Sequence, residues 1–155
     1  MCELADGLHD RLVAIARAAL PNEACGLLAG SLLHADAGER MRIDSVWPVE
    51  NSLRSPHRFA LDGAQMLEVE DRIEASGTRV IGVFHSHPTS QAVPSATDRR
   101  DAAGWDPQHH FVHVVVSMQG FVPTVRAWTL GGASEHDMCE LVVATGTGDP
   151  SHTGR

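Results

Sequence analysis

Arg79-Val80-Ile81-Gly82-Val83-Phe84-His85-Ser86-His87-Pro88 is the stretch that decides the fold, and its continuation, Thr89-Ser90-Gln91-Ala92-Val93-Pro94-Ser95-Ala96-Thr97-Asp98, holds the chemistry. The first half is a nearly unbroken apolar run rich in β-branched residues. It reads as a buried strand over 79–87, since a strand covered on both faces needs no polar alternation. Pro88 has no N–H to offer a ladder and stops it. Strand side chains alternate sides, so His85 and His87 present two imidazoles to one point. A loop follows, and a short third helix is expected to start near Ser95. Asp98, one turn into that helix, can bring a carboxylate back to the same point. Two imidazoles and a carboxylate, with a fourth position open for water, form the donor set of a catalytic zinc. Such a metal lowers the pKa of its water from about 16 to roughly 7 and polarises a carbonyl.

Taken alone, each piece has a plainer reading. A His-x-His pair on a strand is more often two surface or hydrogen-bonded histidines. Ser95-Ala96-Thr97-Asp98 also fits a capping box, with Ser95 as N-cap and Asp98 at N3. The two roles compete, because a carboxylate given to a metal has little left for the N-cap amide.

Outward from this segment, apolar residues at helical spacing (Leu8, Leu12, Ile15, Ala16, Ala19) predict a first helix within Leu4 to Leu20, stopped near Pro21. Glu23 to Leu33 reads as a buried, glycine-containing strand, with Met41 to Val49 returning as its hairpin partner. Pro48, Asn51, Ser55 and Pro56 mark a loop. A second helix is expected from Leu61 or Asp62 to about Ala75, ended by Ser76-Gly77. Phe111 to Met118 and Val122 to Leu130 read as two strands joined by a Gly120 turn, and a weaker strand is expected at Glu140 to Ala144. One domain over 1–144 and a frayed tail over 145–155 are therefore expected.

Composition narrows the function classes. The chain has 155 residues, 43% of them apolar, which suits one globular domain with one core. No apolar stretch is long enough to span a membrane. The acidic start, Met1-Cys2-Glu3-Leu4-Ala5-Asp6, has no basic region leading into an apolar one, so no secretory signal is read and the cytoplasm is the expected location. A formal charge of −8, with every cationic residue an arginine, argues against nucleic acid as a partner. Cys2, Cys25 and Cys139 lie far apart and form no CxxC pair or disulfide framework.

Read whole, the spacing is His-x-His, seven residues, Ser, two residues, Asp. This resembles the signature of the JAMM (MPN+) metalloproteases. Those enzymes also carry a glutamate upstream, in a segment similar to Pro21-Asn22-Glu23-Ala24-Cys25-Gly26-Leu27-Leu28-Ala29-Gly30. Val49-Glu50-Asn51 and Ser55-Pro56 through Phe59-Ala60-Leu61-Asp62 are similar to the loop and second-helix start of bacterial members, so the resemblance covers roughly residues 4 to 130.

The resemblance implies a single α/β (α+β) domain whose mixed central β-sheet is flanked by helices, like the cytidine-deaminase-like core. It implies one zinc per chain held by His85, His87 and Asp98. Glu23 would be the acid/base group beside the metal, and Ser95 would donate its hydroxyl to the oxyanion. It also implies hydrolysis of an amide bond after the C-terminal Gly-Gly of a ubiquitin-like sulfur carrier protein, since the undecorated core resembles bacterial members of that type. A small-peptide or small-amide hydrolase of the same mechanism is one alternative. A non-catalytic MPN-type interaction module is another. A zinc deaminase needs His-x-Glu followed by Pro-Cys-x-x-Cys, and no such segment exists here.

The neighbours are assigned plainer roles. Ser86 is expected to face away from the metal and Pro94 to set the loop angle. Cys25 reads as a small buried thiol. His109, His110 and His113 read as scattered exposed residues rather than a second metal site, and Trp47, Trp105 and Trp128 as core or rim aromatics.

Overall fold

The computed structural model describes residues 1–35 and 38–146. Within them the chain runs β1 (Cys2–Leu4), α1 (Leu8–Ala19), β2 (Cys25–Ala35), β3 (Gly38–Val49), α2 (Gly63–Ala75), β4 (Arg79–His87), α3 (Ala96–Trp105), β5 (Val112–Ser117), β6 (Thr124–Leu130), a 3-10 turn (Glu135–Asp137), β7 (Met138–Leu141) and β8 (Val143–Thr145). The strands form one mixed sheet in the order β7-β6-β5-β4-β2-β3-β1-β8. β4 lies at its centre, antiparallel to β2 and parallel to β5.

β4 has the bounds expected from its sequence, and everything from Ile81 to His87 is buried, as a strand covered on both faces requires. Phe84 points to one face, where it joins Leu28, Val112, Val114 and Val116 beneath Leu8, Leu12 and Ala16 of α1. Val83 points to the other, where it packs with Leu27 and Val49 beneath Val69 and Ile73 of α2. The two apolar clusters lock the sheet between helices and fix the direction of every β4 side chain. Gly26, beside Phe84 on β2, belongs to this packing: a Cβ there would overlap the Trp47 carbonyl and the Phe84 ring.

Two details differ from the sequence reading. The first helix begins at Leu8, and Cys2–Leu4 instead forms a short strand parallel to β3 (Met41–Ile43) and β8. The expected strand at Glu140 to Ala144 is two strands on opposite edges of the sheet, β7 beside β6 and β8 beside β1. β8 ends at Thr145, so the first residue of the tail expected over 145–155 lies in a strand paired with β1, and residues 147–155 lie outside the described residues.

Candidate metal centre

At the carboxyl end of β4 the central strand leaves the helix-covered core and opens a polar pocket. His85 and His87 face the same side there, both buried. α3 begins with Ser95 as its N-cap and carries Asp98 one turn in. Asp98 is buried, and its Oδ2 lies 3.0 Å from His85 Nε2 and 3.1 Å from His87 Nε2. The two Nε2 atoms are 3.1 Å apart. Glu23 stands just before β2, 3% exposed, and its carboxylate joins the other three ligand atoms within 4.8 Å. All four sequence-selected side chains thus converge on one point, from three separate parts of the chain.

This arrangement suits a bound cation. His87 Nδ1–H donates to the Gln91 carbonyl at 2.7 Å, so in the neutral ring Nε2 carries a lone pair. That lone pair faces the Asp98 carboxylate and a second imidazole nitrogen, which is repulsive unless a positive charge sits between them. Ligands held tetrahedrally at about 2.0–2.1 Å stand about 3.3 Å from one another, close to the observed separations of 3.0, 3.1 and 3.1 Å. The donor set therefore fits a divalent metal such as zinc.

Asp98 does not choose between cap and cluster. Ser95 N–H donates to the same Oδ2 at 2.8 Å, and Ser95 Oγ accepts the Asp98 N–H at 3.1 Å, which completes the capping box. The N-cap amide approaches the same oxygen that the imidazoles face and so fixes its direction. Ser95 itself is exposed, and its hydroxyl proton has no acceptor among the described residues.

The electrostatics follow the geometry. Burial, and then the Asp98 charge, push the Glu23 carboxyl up to about 8, and Glu23 Oε1 has no hydrogen-bond partner among the described residues. For Asp98 burial acts upward, but the His85 charge, the close approach of both imidazoles and the Ser95 N–H outweigh it and hold the carboxylate well below its ordinary range. For His87 burial acts downward, yet its contacts with Asp98 and Gln91 outweigh that, leaving it above the ordinary histidine value.

The surrounding residues fall into supporting places. Ser86 points to the opposite face, where its Oγ accepts the Ala24 N–H at 2.7 Å and ties β4 to the segment bearing Glu23. Cys25 is the cross-strand partner of His85, but its S–H donates to the Val49 carbonyl at 3.4 Å and burial pushes the thiol up to about 12, so it is inert. His109 and His110 are exposed, whereas His113 is buried beside Trp105, contrary to expectation. Among the described residues the only metal-type cluster is the one at Glu23, His85, His87 and Asp98.

Sequence reasoning missed two residues here. The Phe59 ring stacks on His85 with centroids 4.5 Å apart and planes 19° from parallel. Asn51, buried at the start of the same loop, donates from Nδ2 to the Glu23 carbonyl at 3.2 Å. A lone aromatic in a polar loop, and an asparagine closing a strand, were the available signals.

Comparison with known proteins points the same way. Residues 5–131 match the model of the prokaryotic homologs of the JAB domain. A desampylase of Haloferax volcanii is 34% identical over 110 residues, covering 70% of this chain and 71% of that one. A CysO-cysteine peptidase of Mycobacterium tuberculosis is 36% identical over 107 residues, covering 69% and 68%. A solution structure from Desulfitobacterium hafniense superimposes with a TM-score of 0.79 at 28% identity, over 100% of this chain and 99% of that one.

Proposed function

The chain belongs to the prokaryotic JAB-domain family, and from that premise we propose that it is a zinc-dependent peptidase that hydrolyses the amide bond after the C-terminal Gly-Gly of a ubiquitin-like sulfur carrier. The observation that supports this most is the buried convergence of His85, His87 and Asp98 with the Glu23 carboxylate beside them. The carrier substrate is supported by relatives whose names are desampylase and CysO-cysteine peptidase.

His85 and His87 would hold the zinc through Nε2, and Asp98 through Oδ2. When bound, zinc brings the pKa of water to about 7 and polarises the scissile carbonyl. Glu23 takes the proton of the attacking water on a carboxylate oxygen and gives it to the nitrogen of the leaving amine. The Ser95 hydroxyl donates its free proton to the carbonyl oxygen as charge builds there. The products are a carrier ending in a Gly-Gly carboxylate and a free amine, either cysteine or a short extension.

The test is cleavage, followed by mass spectrometry, of a sulfur carrier extended beyond its Gly-Gly terminus. Wild type is expected to release the extension after the second glycine, while Glu23→Gln and chelator-treated protein leave it intact. An intact carrier together with cleaved short peptides would replace the carrier reading by the small-peptide one. Cleavage that survives both perturbations would refute the mechanism.

A further inference from the structure

The two imidazoles of the cluster are oriented by different means. His87 donates through Nδ1 to the Gln91 carbonyl at 2.7 Å, the kind of outer hydrogen bond that fixes a ligand ring. His85 Nδ1 is buried and has no hydrogen-bond partner among the described residues. The nearly parallel Phe59 ring lies against His85 at 4.5 Å between centroids. With no hydrogen bond at Nδ1, the setting of the His85 ring about χ2 is left to packing on its faces.

Phe59 is itself held. The peptide groups on either side of it are bonded to one side chain, that of Asn51. Nδ2 donates to the Arg58 carbonyl at 3.1 Å, and Oδ1 accepts the Ala60 N–H at 3.2 Å. The same amide donates to the Glu23 carbonyl at 3.2 Å and accepts the Leu53 N–H at 3.1 Å. An amide offers two protons and two lone pairs, and Asn51 commits all of them to this loop and to the segment bearing Glu23. Arg58 adds a fork onto Asp101, at 2.9 and 3.0 Å, and Asp101 lies one turn beyond Asp98 on α3. The loop from Asn51 to Leu61 is thus braced against the segments that carry Glu23 and Asp98, with Phe59 delivered onto His85.

We propose that Phe59, set in place by Asn51, is the positioning residue for His85: its flat face takes the part that the Gln91 carbonyl plays for His87. The pairing keeps His85 Nε2 aimed at the point shared with His87 Nε2 and Asp98 Oδ2, and it keeps solvent from the unpaired Nδ1. This inference rests on the reading of the cluster as a metal centre.

The experiment is a zinc affinity measurement by competition with a chromophoric chelator, on wild type, Phe59→Leu, Phe59→Tyr, Asn51→Asp and the Phe59→Leu/Asn51→Asp double variant. Melting of each metal-free protein is followed in parallel. Phe59 is only half-buried, so Phe59→Leu keeps a folded chain and an apolar contact while removing the flat face. It is expected to weaken zinc binding about 10- to 100-fold, the range seen when outer partners of metal ligands are removed. Phe59→Tyr, which keeps the ring, should restore the affinity. Asn51→Asp loses both Nδ2 donations and should weaken binding in the same sense, with the double variant little worse than Phe59→Leu because both act through one contact. Variants that melt earlier but bind zinc as tightly as wild type would overturn the proposal and leave the metal reading standing. A wild type that binds no zinc would overturn both.

Discussion

Replacing Ser95 by glycine separates the two roles that meet at this residue. Its Oγ accepts the Asp98 N–H at 3.1 Å as the N-cap of α3, while its backbone N–H holds Asp98 Oδ2 at 2.8 Å. Alanine at an N-cap costs about 1 kcal/mol, but glycine only a few tenths. For a chain of this length that is a fall in melting temperature of about 2–4 °C for Ser95→Ala and about 1 °C or less for Ser95→Gly. Both variants keep the backbone N–H that aims the Asp98 carboxylate, so zinc affinity should hold in both. Both lose the hydroxyl that, in the proposed mechanism, meets the developing oxyanion, and loss of one such donor lowers kcat by about 10²–10³. The assay is single-turnover cleavage of an extended carrier by zinc-loaded protein, with melting measured on the same samples. The account predicts a near-normal melting temperature and a hundredfold or greater rate loss for Ser95→Gly. A Ser95→Gly enzyme of near wild-type rate would show that Ser95 is a cap and nothing more.

Three further outcomes follow from the same physical reasoning. Burial pushes Cys2 up to about 11 and Cys25 up to about 12, so iodoacetamide at pH 8 should alkylate exposed Cys139 alone in the folded protein; early modification of either buried thiol, seen by mass spectrometry, would contradict this. Burial, then the His85 charge, pull His113 down to about 4. Below its ordinary value of about 6.5 the unfolded chain takes up a proton that the folded one refuses, so stability falls as pH falls, by about 2 kcal/mol from pH 7 to pH 5 for this group. Urea unfolding at both pH values should show that much less dependence in His113→Leu, and equal slopes would count against it. Gly26→Ala forces a methyl group into the Trp47 carbonyl and the Phe84 ring and should cost about 1–3 kcal/mol in the same assay, whereas an unchanged midpoint would mean that β2 and β3 can separate freely there.

What could be read from sequence divides along physical lines. β4 was legible to the residue because its apolar run and Pro88 are local facts, and period-two alternation then sends His85 and His87 to one side. The placement of Asp98 was legible from the Ser95 cap and the helical turn. That one oxygen serves both the cap and the cluster was not, since spacing says nothing about the direction from which each partner arrives. β1 escaped notice because three residues have no period to detect, and their strand exists only through pairing with Met41–Ile43 and Val143–Thr145. Asn51 and Phe59 escaped for a related reason. The loop that contains them has no repeat, and its shape comes from one buried amide whose partners are spread from Glu23 to Ala60. The burial of His113 depends on Trp105 folding over it from α3, a contact no strand pattern reveals.

The central claim is that three side chains hold a metal and a fourth, Glu23, works beside it without holding it. The direct measurement is the zinc stoichiometry of purified wild type, Glu23→Gln and Asp98→Ala, taken with carrier cleavage by the same samples. The account predicts one zinc per chain in wild type and in Glu23→Gln, little in Asp98→Ala, and cleavage by wild type alone. A Glu23→Gln protein that loses its zinc as Asp98→Ala does, or that keeps its zinc and still cleaves, would contradict it.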